Sequence, residues 1–199
     1  IEIAEGKTVM TIVRNVIEYL QILYDFPASQ AAVIMAVTAF LYFLGCAAVP
    51  GLKKKMTKAG AVSGLLLSFY ISQVIGITIL NRNMTEEARY DLNLMDVYRI
   101  ALNGNEVFFT QLLGNVLMFI PLGILMPVCF EKVRGFIRIL ILSFFCSSFI
   151  ETTQLFTHTG LFELVDLINN TLGGCIGYLI FKISYGIIRL NKKQKKRSR

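Results

Sequence analysis

Charge is what this sequence is short of. Only 17% of its 199 residues are Asp, Glu, Lys or Arg, against roughly 25% in a soluble domain. With 55% hydrophobic residues and a mean hydropathy of +0.61, disorder is excluded and a soluble globule disfavoured. Histidine is nearly absent: His158 stands alone, without the second His or correctly spaced Cys that zinc needs. The four cysteines, Cys46, Cys129, Cys146 and Cys175, lie inside apolar runs. Their spacing fits no zinc pattern, and a disulfide framework would place them in loops, so they read as small packing residues. There is no Gly-rich phosphate loop, no HExxH and no GxSxG. No internal repeat is visible, which weighs against an ion-linked transporter. No metal or other cofactor is expected, although Glu151, Asp166 and nearby Asn carbonyls have the oxygen chemistry for a hard cation.

What is present is a series of long apolar runs. Ala28 to Val49, Ala59 to Leu80 and Val107 to Phe130 carry no charge, and Ile139 to Thr159 carries only Glu151. A fifth, Leu167 to Leu190, has Lys182 and Arg189 near its end, where long basic side chains reach the headgroups. Each is long enough to cross a bilayer, which takes about 20 helical residues. The expected fold is an all-α integral membrane protein: five transmembrane helices over 27–190, a basic tail at 191–199, and a helix at 1–26. In that first segment Lys7, Arg14, Glu18, Gln21 and Asp25 form a polar stripe opposite Val9, Ile12, Val13, Ile17, Leu20 and Leu23. The pattern predicts an amphipathic helix lying at the interface. No basic segment precedes a short apolar core there, so a signal peptide is not expected.

Basic residues set the direction. Lys53, Lys54, Lys55 and Lys58 follow the first span, Lys132, Arg134 and Arg138 the third, and the tail the fifth. All three regions fall on one side, expected to be cytoplasmic. The formal charge of +7 therefore reads as a topology anchor beside anionic lipid rather than a nucleic-acid surface. This predicts a multi-pass plasma-membrane protein with a cytoplasmic C-terminus and an extracytoplasmic N-terminus. The 81–106 loop, with short helical pieces, faces outward, and the outer side holds all the acids but Glu131.

Polar residues then collect at one level. Glu151 and Gln154 share a face of span four, with His158 one turn further on. Glu151 lies on the order of 10 Å below the outer end, where a carboxylate must face the protein interior or water. Asn115 on span three, Asp166 and Asn170 on span five, and Asn81 and Arg82 at the end of span two reach the same depth. Ligand contacts are expected from Arg82, Asn115, Glu151, Gln154, His158, Asp166 and Asn170, in a cavity opening outward. Glu151 and Asp166 are the candidates for acid–base work. The competing reading is polar glue between helices. Pro121 should bend span three, and Gly173 and Gly177 form a GxxxG pair for close packing, within the chain or between chains.

The segments NVLMFIPLG (Asn115–Gly123), ETTQ (Glu151–Gln154) and FELVDLINNTLGGCIGY (Phe162–Tyr178) resemble the VanZ-like family of membrane proteins. TILNR (Thr78–Arg82) and the LNL at Leu92–Leu94 resemble its weaker upstream segments. Two positions depart from the pattern: Val165 precedes Asp166 where many members have a doubled Asp, and His158–Leu161 lacks an Arg. The resemblance implies lowered susceptibility to teicoplanin, a lipoglycopeptide acting outside the membrane. The implied partners are membrane lipid and, on the outer side, the lipoglycopeptide or a lipid-linked envelope component. The alternative is a membrane-embedded enzyme that modifies an envelope lipid or cell-wall precursor.

Overall fold

The computed structural model describes residues 10–11, 13–15, 17–18, 27–48, 58–80, 82 and 89–197. Five helices are long and apolar enough to cross a membrane. They are α1 (Ala28–Ala48), α2 (Lys58–Ile75, prolonged by a π turn over Gly76–Leu80), α4 (Glu106–Cys129), α5 (Phe136–Thr157) and α6 (Leu164–Arg197). The short α3 (Leu94–Leu102) precedes α4. These bounds follow the uncharged runs to within a few residues. The last helix is the exception. Its 34 residues span about 51 Å, more than the roughly 30 Å hydrocarbon core, and the helix runs on through the basic segment 191–197.

α6 is the central element, and its glycines explain why. A Cβ at Gly173 would collide with the Val116 carbonyl oxygen, one at Gly177 with the Ile120 carbonyl oxygen, and one at Gly123 with the Gly174 carbonyl oxygen. α4 and α6 thus touch backbone to backbone, and the GxxxG pair works within the chain. Gly174 leaves room for the Ser143 side chain of α5. Where side chains do fill the interior they form two small clusters, Phe119–Leu122–Ile150 and Ile139–Tyr178–Phe181. Large apolar side chains such as Phe145, Phe149 and Ile183 point outward, as expected where lipid is the solvent. α1 leans on α2 through Thr38, whose hydroxyl lies 3.3 Å from the Ser68 carbonyl oxygen, and through Tyr42, which covers Gly64. Only Cys46 of α1 is buried. All four cysteines are free thiols.

The two ends of the bundle differ. At the basic end Arg134 donates to the Pro127 carbonyl at 2.8 Å and lies over the Tyr185 ring. The basic residues Lys53, Lys54 and Lys55 fall outside the described residues, and nothing is described of the Lys58 side chain. At the opposite end two strands that the alternating pattern does not reveal, β1 (Arg89–Asp91) and β2 (Leu161–Glu163), pair in parallel, with Tyr90 opposite Phe162. They pin the long loop after α2 to the short α5–α6 connection. α3 starts at the Asn93 cap, and Asn103–Gly104 turns the chain into α4, Gly104 adopting φ 94°. The described residues of the N-terminal segment are helical, and the Asn15 amide donates to Glu106 Oε2 at 2.7 Å. Of the polar stripe there, Lys7, Gln21 and Asp25 lie outside the described residues, while Arg14 and Glu18 pair at 3.9 Å on the exposed face.

Candidate functional site

Span geometry aligns the polar residues by helical period. On α5 the buried positions Ser143, Ser147, Ile150, Glu151 and Gln154 recur at helical spacing and make one stripe. On α6, Asp166 and Asn170 sit one turn apart on the face that continues to Gly173 and Gly177. The Asn105 side chain caps α4 by accepting from the Val107 and Phe108 amides. Asn115 follows almost three turns later. The fourth contributor is the π turn at the end of α2. Its wider turn is the usual form of a local helix insertion near functional sites, and it presents Ile77 and Thr78.

These elements close around a slot of about 10 Å³, lined by Arg82, Asn115, Glu151, Gln154, Asp166 and Asn170 together with Thr78 and apolar neighbours. A second recess of about 40 Å³ shares Arg82, Asn115 and Asp166 and adds Gln111 and Glu163. Six of the seven residues singled out as ligand contacts therefore meet in one place. His158 does not line the slot. α5 ends at Thr157, and His158 turns into the left-handed region (φ 56°, ψ 27°) as its cap, its amide donating to the Gln154 carbonyl. A continuous helix would have kept it on the Glu151 face. The backbone instead stops one residue earlier to reach β2. Asn81 lies outside the described residues.

Most polar atoms of the slot are engaged. Glu151 is 2% exposed, and its Oε2 accepts the Glu163 amide at 3.0 Å. Gln154 donates to the Thr78 carbonyl at 2.8 Å. Asn115 donates to Asp166 Oδ1 at 2.5 Å. The Asn170 amide nitrogen donates to Ser147 at 2.9 Å. Its Oδ1, in a residue 1% exposed, finds no hydrogen-bond partner among the described residues. Such an atom in an apolar setting costs about 1–3 kcal/mol unless something donates to it. Arg82 is exposed and within electrostatic reach of Glu151, Glu163 and Asp166. The two ion pairs among the described residues, Arg14–Glu18 and Arg134–Glu131, lie elsewhere.

Around the rim, burial and then the neighbouring Asp91 push the Glu163 carboxyl above the usual carboxylate range, with Arg82 opposing them. Burial also raises the Tyr98 hydroxyl, which stays protonated and donates to Asn169 Oδ1 at 2.9 Å. That bond holds α3 against α6. Sequence reasoning missed Thr78, Ser147 and the Glu163 amide. Ser147 was open to detection as one turn before Glu151 on the same stripe. The other two act through backbone atoms, which leave no residue-type signal.

A protein-family model, VanZ/LLP1, matches residues 61–185. The chain is similar to Protein VanZ of Enterococcus faecium, with 28% identity over 141 residues, covering 67% of this chain and 80% of that protein. No solved structure matches it. The matched region runs from α2 into α6 and contains every residue that lines the slot, while α1 lies outside it.

Proposed function

The chain belongs to the VanZ/LLP1 family, and from that premise we propose that this multi-pass membrane protein lowers susceptibility to lipoglycopeptides of the teicoplanin type. In this reading the slot opens outward and engages a lipid-bearing envelope component, which reduces the drug's access to its target. The observation that carries it is the meeting of Asn115, Glu151, Gln154 and Asp166 from α4, α5 and α6 with Arg82, which follows α2, around Asn170, whose Oδ1 has no partner among the described residues. Among the described residues Thr110 Oγ1, Ser143 Oγ and Asn169 Nδ2 are also buried without a partner, but only Asn170 belongs to the lining of the slot, where a ligand's donor can reach it. The slot's size narrows the ligand. About 10 Å³ accepts one water-sized group, so a whole drug molecule cannot enter, whereas one headgroup substituent can. Facing the slot outward places the basic end of the bundle in the cytoplasm.

The test is drug protection in a susceptible Gram-positive host. Glu151→Gln and Asp166→Asn are expected to abolish protection while the protein still reaches the membrane in equal amount. Full protection by both variants would remove these residues from the function. A second reading, catalysis on an envelope lipid by the same two carboxyl groups, draws on the burial of Glu151 beside Asp166. It requires a covalently altered lipid to accumulate with the purified protein and not with Glu151→Gln.

A further inference from the structure

Beside the polar slot lies an apolar groove. Between α2, α4 and α5 runs a groove of about 450 Å³, with Tyr70, Val74, Phe119, Met126, Phe145 and Phe149 among its walls. Ile150 lines both the slot and the groove. Along α5 the groove extends from Ile150 to Leu142, eight residues or about 12 Å. On α4 it extends from Phe119 to Met126, about 10 Å. From Ile150 it descends along the spans, away from the strand end. The Tyr70 hydroxyl donates to the Met118 carbonyl at 3.0 Å, so even this residue offers the groove mainly its ring.

Resting on the reading that the slot is the binding site, we infer that the groove holds one acyl chain of a membrane lipid whose uncharged, hydroxyl-bearing headgroup sets a hydroxyl in the slot. Ile150, a wall common to both, sets the groove directly beside the slot, so one amphiphile can lay its chain in the groove and its headgroup at the slot. A groove at this depth is filled by hydrocarbon, since a bare apolar wall forfeits its dispersion contacts. The headgroup follows from the slot. A hydroxyl both donates and accepts, so it satisfies the Asn170 side chain whichever way the amide is turned. In the slot and the recess beside it three carboxyl groups, Glu151 and Asp166 of the slot and Glu163 of the recess, stand against one guanidinium, Arg82. That balance disfavours an anionic headgroup, and choline brings no donor at all. A glycosyl diacylglycerol meets every condition: hydroxyls, no charge and an acyl chain.

The test uses the purified full chain in phosphatidylcholine nanodiscs containing glucosyl diacylglycerol with a photoactivatable diazirine in its acyl chain. Adducts are expected on Met126, Phe145 or Phe149. Unlabelled glucosyl diacylglycerol should compete, while phosphatidylglycerol should compete at least about tenfold less well, a difference of roughly 1.4 kcal/mol. Cys146→Trp and, from the facing wall, Val74→Phe should each fill the groove and cut adduct yield about tenfold, with folding checked by gel filtration. Adducts that survive both variants, or equal competition by phosphatidylglycerol, overturn the inference. The two failures stay separate. If Glu151→Gln loses drug protection while adducts ignore headgroup and groove variants, the site reading stands and the lipid falls. If protection persists in Glu151→Gln and Asp166→Asn, the site reading itself falls.

Discussion

Replacing Gly173 by alanine adds one methyl group where α4 and α6 touch backbone to backbone. The new Cβ meets the carbonyl oxygen and carbon of Val116, and it comes within 3.1 Å of the Phe119 Cβ. The first two are backbone atoms of a helix and cannot rotate aside, so α4 and α6 must part. Overpacking of this kind costs about 1–3 kcal/mol. Val116 also neighbours Asn115, whose 2.5 Å bond to Asp166 bridges the same two helices. Its loss adds about 1.5–3 kcal/mol if the carboxyl is charged. Against this, alanine gains at most about 1 kcal/mol over glycine in helix propensity. The net is a destabilisation of roughly 2 kcal/mol or more. Gly186 on the same helix supplies the control, because a Cβ there meets nothing within 4 Å and only the propensity gain remains. The two variants should move in opposite directions in reversible unfolding in mixed dodecylmaltoside–SDS micelles. Gly173→Ala matching the stability of Gly186→Ala would refute the backbone contact and, with it, the α4–α6 spacing that shapes the slot.

Glu163 sets a pH dependence. Its carboxyl is raised in the folded protein, so its contribution to stability is fully present below the unfolded carboxylate value and is lost as pH rises through the folded one. Thermal stability in detergent should therefore fall as pH rises through the mildly acidic range, and Glu163→Gln should flatten that fall; an unchanged profile would contradict the burial of this group. For His158, glycine tolerates the φ of 56° without a Cβ penalty. The His158→Gly variant should therefore keep the turn out of α5 and keep drug protection, since His158 does not line the slot; lost protection at equal membrane level would return His158 to the site.

The spans were legible because a bilayer demands uncharged helical runs of a minimum length, and composition records that demand directly. Ala28–Ala48 and Phe136–Thr157 could be read to within a few residues for that reason. Much of the slot was legible too. A buried Glu or Asn at membrane depth has few places to go, so Asn115, Glu151, Gln154, Asp166 and Asn170 identify themselves once their depths are known. Sequence also supplied the GxxxG pair, but left open which surface it meets. Only the folded chain decided that Gly173 and Gly177 lie against Val116 and Ile120. It likewise decided where α5 stops, that β1 and β2 pair, and that the Glu163 amide and Thr78 carbonyl complete the slot. Backbone groups are the same at every residue, so their use in a site is set by how distant segments meet. The size of the slot and the apolar groove beside it belong to the same class. Volume is a property of the gaps between helices, and those gaps follow from packing distances that no single span encodes.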